Sequence, residues 1–393
     1  MSLHLNLINR GTEGELLMQG RLDSNTAPEA EKVVDELAAR FEDLILNMKE
    51  LDYISSAGLR VLMKARKRLD KAIPVINVSR DVYDIFETTG FTSLLDVKKA
   101  YRKVSVDGLK VIGKGFFGTV YRIDNESIVK VYSVDDSLPI IENEINMARK
   151  AFVNGIPTAI AYDIVKVGKD YGSVFELLNA RTFNELVQEG QRPLDEIVAM
   201  YTDLMKQVHE TELPVGTFPS YKDKFSEYLD EIKKDLTDEQ YSKLKGMIDS
   251  VPDRNTVIHG DIQMKNVMLV DNEPMLIDME TLGLGNPIFE FAGLYVTYKS
   301  FSEDDHGNSM MFLGIPEDVC DAVWDKTFEG YFSFKEETAR KETLDKIRLT
   351  ASIRFLYLIE STDLKDNDLG KLRIKHTKEQ IAKLLETVES LAL

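Results

Sequence analysis

The segment VIHGDIQMKNVMLV, Val257 to Val270, places His259, Asp261, Lys265 and Asn266 between two runs of aliphatic residues. The aliphatic runs read as strand or loop anchors, so the polar group between them is presented at the edge of a core. The chain around it has 393 residues, 43% hydrophobic and 30% charged, enough for two or three domains with real cores. Its 67 acidic and 49 basic residues give a net charge of −18, which on average repels nucleic acid and acidic membranes. The start MSLHLNLINRG is too polar for a signal peptide, and no stretch approaches the ~20 apolar residues of a membrane span, so a cytoplasmic protein is expected. One cysteine, Cys320, and five scattered histidines leave oxygen ligands as the means of holding a metal.

Upstream of that segment, VIGKGFFGTVYRIDNESIVKVY carries Gly113, Gly115 and Gly118 in G-x-G-x-x-G spacing. A dinucleotide fingerprint would open a helix, whereas TVYRI and SIVKVY are β-branched and aromatic runs split by DNE, so this glycine loop joins two strands. Strand, glycine loop, strand and then a lysine is an arrangement that resembles the protein-kinase fold. The resemblance implies that Gly113, Gly115, Gly118 and Val120 cover ATP and that Lys130 reaches its α and β phosphates. The helical pattern IIENEINMARKAF, with Ile141, Ile145 and Ala148 on one face and Gly155 and Pro157 ending it, supplies the partner of Lys130. Glu144 is expected there, with Glu142 the competing choice. YGSVFELLNART reads as a strand leading to a connector between lobes, and by resemblance the backbone from Glu176 to Leu178 meets the adenine.

The opening segment then resembles a kinase-like catalytic loop, since HGDIQMKN fits H-x-D-x-x-x-x-N and Asp278, in LIDME, follows Asn266 by twelve residues. One carboxylate must align or accept the proton of the attacking hydroxyl, while a separate amide and carboxylate hold Mg²⁺ against the phosphates. Asp261 suits the first task, Asn266 and Asp278 the second. Mg²⁺ takes hard oxygen ligands and keeps several waters, so two protein ligands suffice. His259 is expected to brace the loop.

His-Gly-Asp and IDME, with Glu280, resemble the aminoglycoside phosphotransferase and choline-kinase branch rather than the protein kinases, and no Ala-Pro-Glu follows. TLGLGNPIFEFAGLY runs straight into an apolar helical pattern, leaving no room for a long activation loop. Those relatives usually show Gly-Asp-Pro and a later Asp where this chain has Asn286-Pro287 and Glu290, so different local bracing is expected. LDEIVAMYTDLMKQVHET, YKDKFSEYLDEIKKDL and TKEQIAKLLETVESLAL have helical periodicity. His209 reads as a packing histidine. SEDDHG, near Asp304, reads as a solvated loop, with recognition of a cationic acceptor as the alternative.

The first hundred residues alternate short strands and helices. LHLNLI and ELLMQG flank a hairpin turn, and NTAPEAEKVVDELAARF is a helix with capping-box spacing at Thr26 and Glu29. DLILNM and IPVINV flank GLRVLMKARKRLDK, so βαβ units and a small mixed sheet are expected. Ser55 and Ser56 stand where that helix needs its N-cap. LDYISSAGLRVL, GRLDSNTAPE and FETTGFTSLL resemble the STAS domain of anti-sigma-factor antagonists, in which a serine at the start of this helix is phosphorylated by a partner kinase. Matched residue by residue, Ser56 is that position, and Ser55 replaces the family's acidic residue. A phosphate on Ser56 would meet the free N–H groups of the helix start.

The expected fold is α/β plus α+β: a STAS-like mixed sheet with helices over residues 1–100, then a two-lobed kinase-like domain over 101–393, its lobes at about 105–178 and 179–393. Three functions are open: ATP-dependent phosphotransfer to a small-molecule hydroxyl with the STAS domain binding a regulatory protein partner, a protein kinase acting on Ser56, and a nucleotide-binding scaffold without catalysis.

Overall fold

The computed structural model describes residues 2–115, 118–134 and 137–393 and divides into two compact units, one ending at Val104 and one beginning at Ser105. The tip of the glycine loop, Phe116 and Phe117, lies outside the described residues.

In the first unit β1 (His4–Arg10) and β2 (Glu13–Leu22) form the antiparallel hairpin. β3 (Asp43–Ile54), β4 (Pro74–Val78) and β5 (Asp96–Lys99) then join in parallel, giving the order β1-β2-β3-β4-β5. Parallel neighbours need crossovers, and α1 (Ala27–Arg40), α2 (Ser56–Leu69) and α3 (Arg80–Thr88) provide them. Alternate residues Leu44, Leu46 and Met48 of β3 bury one sheet face in a core with Val34, Leu62 and Phe86 of the helices. Ser55 is the residue that caps α2, its Oγ accepting from the N–H of Ala57 at 3.2 Å and of Gly58 at 3.4 Å. Ser56 is the first residue of the helix and is exposed. The capping box at Thr26 does not form, because the Thr26 hydroxyl is turned the other way, accepting from Asp23 N at 2.9 Å and donating to Arg21 O at 2.8 Å.

The second unit opens with β6 (Val111–Lys114), β7 (Gly118–Arg122) and β8 (Ser127–Tyr132), followed by α4 (Leu138–Val153), β9 (Ala161–Val167) and β10 (Asp170–Glu176). These strands lie antiparallel in the order β9-β10-β8-β7-β6, with α4 packed against them. The remainder is mostly helical: α5 (Phe183–Glu189), α6 (Leu194–Glu210), α7 (Tyr221–Glu231), α8 (Asp238–Asp249), α9 (Ile288–Tyr295), α10 (Asn308–Phe312), α11 (Glu317–Phe332), α12 (Glu337–Glu360) and α13 (Asp368–Leu384). Short pairs β11 (Val257–Ile258) with β14 (Gly283–Leu284), and β12 (Val267–Val270) with β13 (Glu273–Leu276), frame the segment between them. The periodicity of the last segment suggests helix to the end, but the helix stops at Leu384. Val388 and Leu391 instead bury themselves as irregular chain, and Lys346 Nζ takes the Ala392 carbonyl at 2.6 Å. Among the described residues no helix is long and apolar enough to cross a membrane.

Candidate active site

Residues 259–266 are held by hydrogen bonds from five directions. Glu290, 1% exposed on α9, accepts the N–H of His259 at 2.7 Å and of Gly260 at 2.9 Å. Burial alone would push its carboxyl upward, but His209, His259 and these N–H donors outweigh that and hold it below the usual range. The Thr281 hydroxyl donates to His259 O at 2.7 Å, Tyr201 donates to Ile262 O, and Tyr298 accepts from Met264 N at 3.1 Å. His259 accepts from the Asp261 N–H through Nδ1 at 3.3 Å and donates from Nε2 to Ile277 O at 3.2 Å, a strut between the loop and the residue that follows β13. Gly260 has φ +83°, and a β-carbon there would overlap the Tyr221 hydroxyl, so the residue between His259 and Asp261 has to be glycine.

This frame leaves Asp261 half-buried with its carboxylate oriented. Gln263 Nε2 donates to Oδ1 at 3.2 Å and Oδ2 at 3.0 Å, and Asn266 Nδ2 donates to Oδ2 at 3.0 Å and to the Asp261 carbonyl at 2.8 Å. With its nitrogen so engaged, Asn266 presents Oδ1 as its remaining ligand atom. Ile277 N donates to Asn266 O at 3.0 Å, which sets Asp278 next to Asn266 across two chain segments. Asp278 sits in the left-handed region at φ +58°, a conformation that costs a non-glycine residue energy and is retained at functional positions. The hard-oxygen pair of Asn266 Oδ1 and a half-exposed Asp278 carboxylate fits Mg²⁺. Among the described residues no three His, Cys, Asp or Glu side chains gather into a denser metal cluster.

Above this loop the sheet supplies the cation. Lys130 Nζ lies 2.6 Å from Glu144 Oε1 and 2.9 Å from Asp278 Oδ1, so it ties α4 to the segment bearing Asp278. Burial would lower the ammonium's pKa, but the carboxylates of Asp278 and Glu144 raise it far above the ordinary value. Glu144, 1% exposed, also accepts from the hydroxyls of Tyr132 and, at 2.8 Å, Ser173. Val120, Lys130 and Ser173 are opposite one another in register across β7, β8 and β10 and share one face. Gly113 pairs with Val120, and Gly115 N donates to Gly118 O at 2.9 Å to close the turn between β6 and β7. Glu176 is the last residue of β10. Its N–H and carboxylate are taken by Ile160, and Leu178 follows in the half-buried connector. Ser56 belongs to the other unit and is not part of this convergence.

Sequence alone did not reveal the struts Tyr132, Ser173, Gln263, Tyr201, Tyr221 and Tyr298, which come from six separate segments. The packing histidine His209 is buried, its Nδ1 2.9 Å from Tyr331 and its Nε2 3.4 Å from Glu290. The segment 302–307 is exposed at Glu303, His306 and Gly307, as a solvated loop would be, but Asp304 is nearly buried against His376 at 2.5 Å, Tyr295 meets Glu303 at 3.1 Å, and Asp305 lies 4.0 Å from Arg373. Asp304 and Asp305 thus have basic partners within the protein, while among the described residues Glu303 meets only a hydroxyl.

Residues 108–310 match the family model described as the phosphotransferase enzyme family, and residues 9–105 match that of the STAS domain. The anti-sigma-B factor antagonist of Staphylococcus aureus (strain NCTC 8325 / PS 47) is 28% identical over 103 residues, 25% of this chain and 95% of its own length. Two solved structures are similar to the chain. The streptomycin-ATP-APH(2")-IIa ternary complex has 14% identity over 72% of this chain and 92% of that one, with TM-score 0.42. The ADP-bound aminoglycoside phosphotransferase APH(2'')-Ib has 15% identity over 78% and 98%, with TM-score 0.45.

Proposed function

Because the chain belongs to the phosphotransferase enzyme family and carries a STAS domain, we propose that it transfers the γ-phosphate of ATP to a hydroxyl of a small molecule, and that the STAS domain controls this by binding a protein partner. The observation that carries the reading is the convergence on Lys130: Glu144 from one side at 2.6 Å, Asp278 from the other at 2.9 Å, with Asn266 and Asp261 hydrogen-bonded to each other one segment away.

In this reading Lys130 draws the α and β phosphates, and Glu144, pinned by Tyr132 and Ser173, keeps the ammonium aimed. Val120 and the glycines roof the nucleotide, and the connector from Glu176 to Leu178 takes the adenine. Asp261, its carboxylate fixed by Gln263 and Asn266, aligns the acceptor hydroxyl and takes its proton as that oxygen bonds to the γ phosphorus. The bond from the γ phosphorus to the bridging oxygen breaks, and ADP leaves with the electron pair. Mg²⁺, held by Asn266 and Asp278, would neutralise charge on the phosphates. The test is ADP formation across sugars, amino alcohols, aminoglycosides and STAS proteins. Acceptor-dependent turnover that disappears in Asp261→Asn supports the reading, and turnover unchanged by that substitution ends it.

A second reading, a serine kinase acting on Ser56 of its own or another STAS domain, has one observation in its favour. Ser55 occupies the cap of α2, which leaves the exposed Ser56 hydroxyl open to modification. Phosphosite mapping after incubation with ATP and Mg²⁺ decides it, since an unmodified Ser56 peptide beside an active enzyme excludes it.

A further inference from the structure

Two cations flank the catalytic loop that the roles above do not use. Tyr221, the first residue of α7, is buried against Gly260 and donates to Thr281 O at 2.8 Å. One turn later Lys224 sets its Nζ 5.0 Å from the centre of the Tyr221 ring. From α12, Arg354 approaches the same loop: a β-carbon on Gly293 would lie 2.9 Å from Arg354 Cζ and 3.3 Å from Gly260 O, so the glycine leaves the space the guanidinium occupies. The stacked rings of Tyr228 and Tyr357, 4.1 Å apart, extend the same surface from α7 and α12.

Both cations are partly buried, and among the described residues neither side chain forms an ion pair or a hydrogen bond. Cations that serve the fold are paired here, as Lys299 is with Asp321 at 2.6 Å and Lys234 with Glu360 at 2.7 Å. Burial first, and Arg354 second, push the Lys224 ammonium down to about 8. The acidic groups nearby are poor counter-ions: Glu290 is committed to the loop N–H groups, burial pushes the Glu280 carboxyl upward, and Glu227 is exposed. A fold gains nothing by bringing two unpaired like charges near one another where both are partly buried, whereas an anion placed between them neutralises both and finds the fork of Arg354 ready for bidentate contact.

We infer that the acceptor is an anion, a small hydroxylated carboxylate or phosphate whose charged group is held between Lys224 and Arg354 while its hydroxyl meets Asp261. This deepens the phosphotransferase reading and rests on it for the role of Asp261. It also sets the site apart from one built for polycations, since the groups facing it here are two cations.

The test uses the full-length protein and inorganic sulfate as probe, with its dissociation constant taken from thermal shifts in chloride buffer. The measurement is made with and without a saturating non-hydrolysable ATP analogue and Mg²⁺. Sulfate is expected to stabilise the wild type and to bind about 10- to 100-fold more weakly to Lys224→Gln and Arg354→Gln, the loss of one charge-assisted contact. Arg354→Lys, which keeps the charge and loses the fork, is expected to fall between and guards against a glutamine variant that does not fold. Equal sulfate affinity in wild type and folded variants, or no sulfate effect on the wild type, overturns the inference. Turnover of glycerate and of glycerol 3-phosphate against glycerol separates a carboxylate from a phosphate acceptor. A preference for glycerol or for aminoglycosides overturns the inference while leaving phosphotransfer intact. Sulfate binding lost in the variants, in a protein the ATP analogue does not stabilise, would uphold the anion site and refute phosphotransfer.

Discussion

Replacing Lys224 by methionine should stabilise the second unit while harming acceptor binding. Methionine keeps the apolar stem that packs on Tyr221 and removes only the charge. The folded ammonium titrates at about 8 against an ordinary 10.5, because burial and Arg354 outweigh Glu280, Glu227 and Glu290. At 1.36 kcal/mol per pH unit that gap is a ceiling of about 3 kcal/mol, and solvent reaching the half-buried side chain reduces it to about 1.5–3 kcal/mol. The sign follows from proton counts. Above pH 10.5 the lysine is neutral in both states and costs nothing. Between 10.5 and about 8 the unfolded chain holds a proton the folded one has shed, so wild-type stability falls as pH drops through that window. Below about 8 the cost is complete. Urea unfolding in chloride, followed by the buried Trp324, the chain's single tryptophan, reports this unit alone. Lys224→Met should be more stable by about 1.5–3 kcal/mol at pH 7 and converge with wild type by pH 10.5. A variant less stable than wild type at pH 7, or a difference that does not narrow with rising pH, would refute the account of Lys224 as an unpaired, desolvated cation.

Asp261→Asn should lower phosphotransfer by about 10²- to 10⁴-fold with nucleotide affinity within a few-fold of wild type, measured by single-turnover kinetics and calorimetry. Glu290→Gln removes charged acceptors from two loop N–H groups and should cost about 2–4 kcal/mol in urea unfolding. Since the folded Glu290 carboxyl sits below its ordinary range, its contribution should be present above pH ~4.5 and lost as the medium is acidified further. Tyr132→Phe leaves Glu144 Oε2 held by Ser173 alone and should weaken nucleotide binding by about 3- to 10-fold, with acceptor KM unmoved.

The groups proposed to meet phosphate were legible because the proposed chemistry confines them to fixed types at fixed spacing: Asp261 and Asn266 in one loop, Asp278 twelve residues on, Lys130 beyond a glycine turn. The choice between Glu142 and Glu144 carried a usable signal, since Glu144 lies three residues after Ile141 and four before Ala148, on the buried face of α4. Thr26 kept the spacing of a capping box without forming one, as Arg21 O and Asp23 N had the stronger claim on its hydroxyl. What sequence left hidden is what tertiary structure assembles. Tyr132 and Ser173 meet Glu144 only because β8 and β10 are neighbours, and Lys224 and Arg354 lie 130 residues apart on helices with no motif between them.

The most direct measurement is a crystal structure of the full chain with a non-hydrolysable ATP analogue and Mn²⁺ in place of Mg²⁺, the ion located by its anomalous signal. The account predicts Mn²⁺ bound by Asn266 Oδ1 and the Asp278 carboxylate, Lys130 on the α and β phosphates, and the Asp261 carboxylate facing the γ phosphate from the acceptor side. Nucleotide seated elsewhere, or an ion held by other residues while Asn266 and Asp278 stay unliganded, would contradict it.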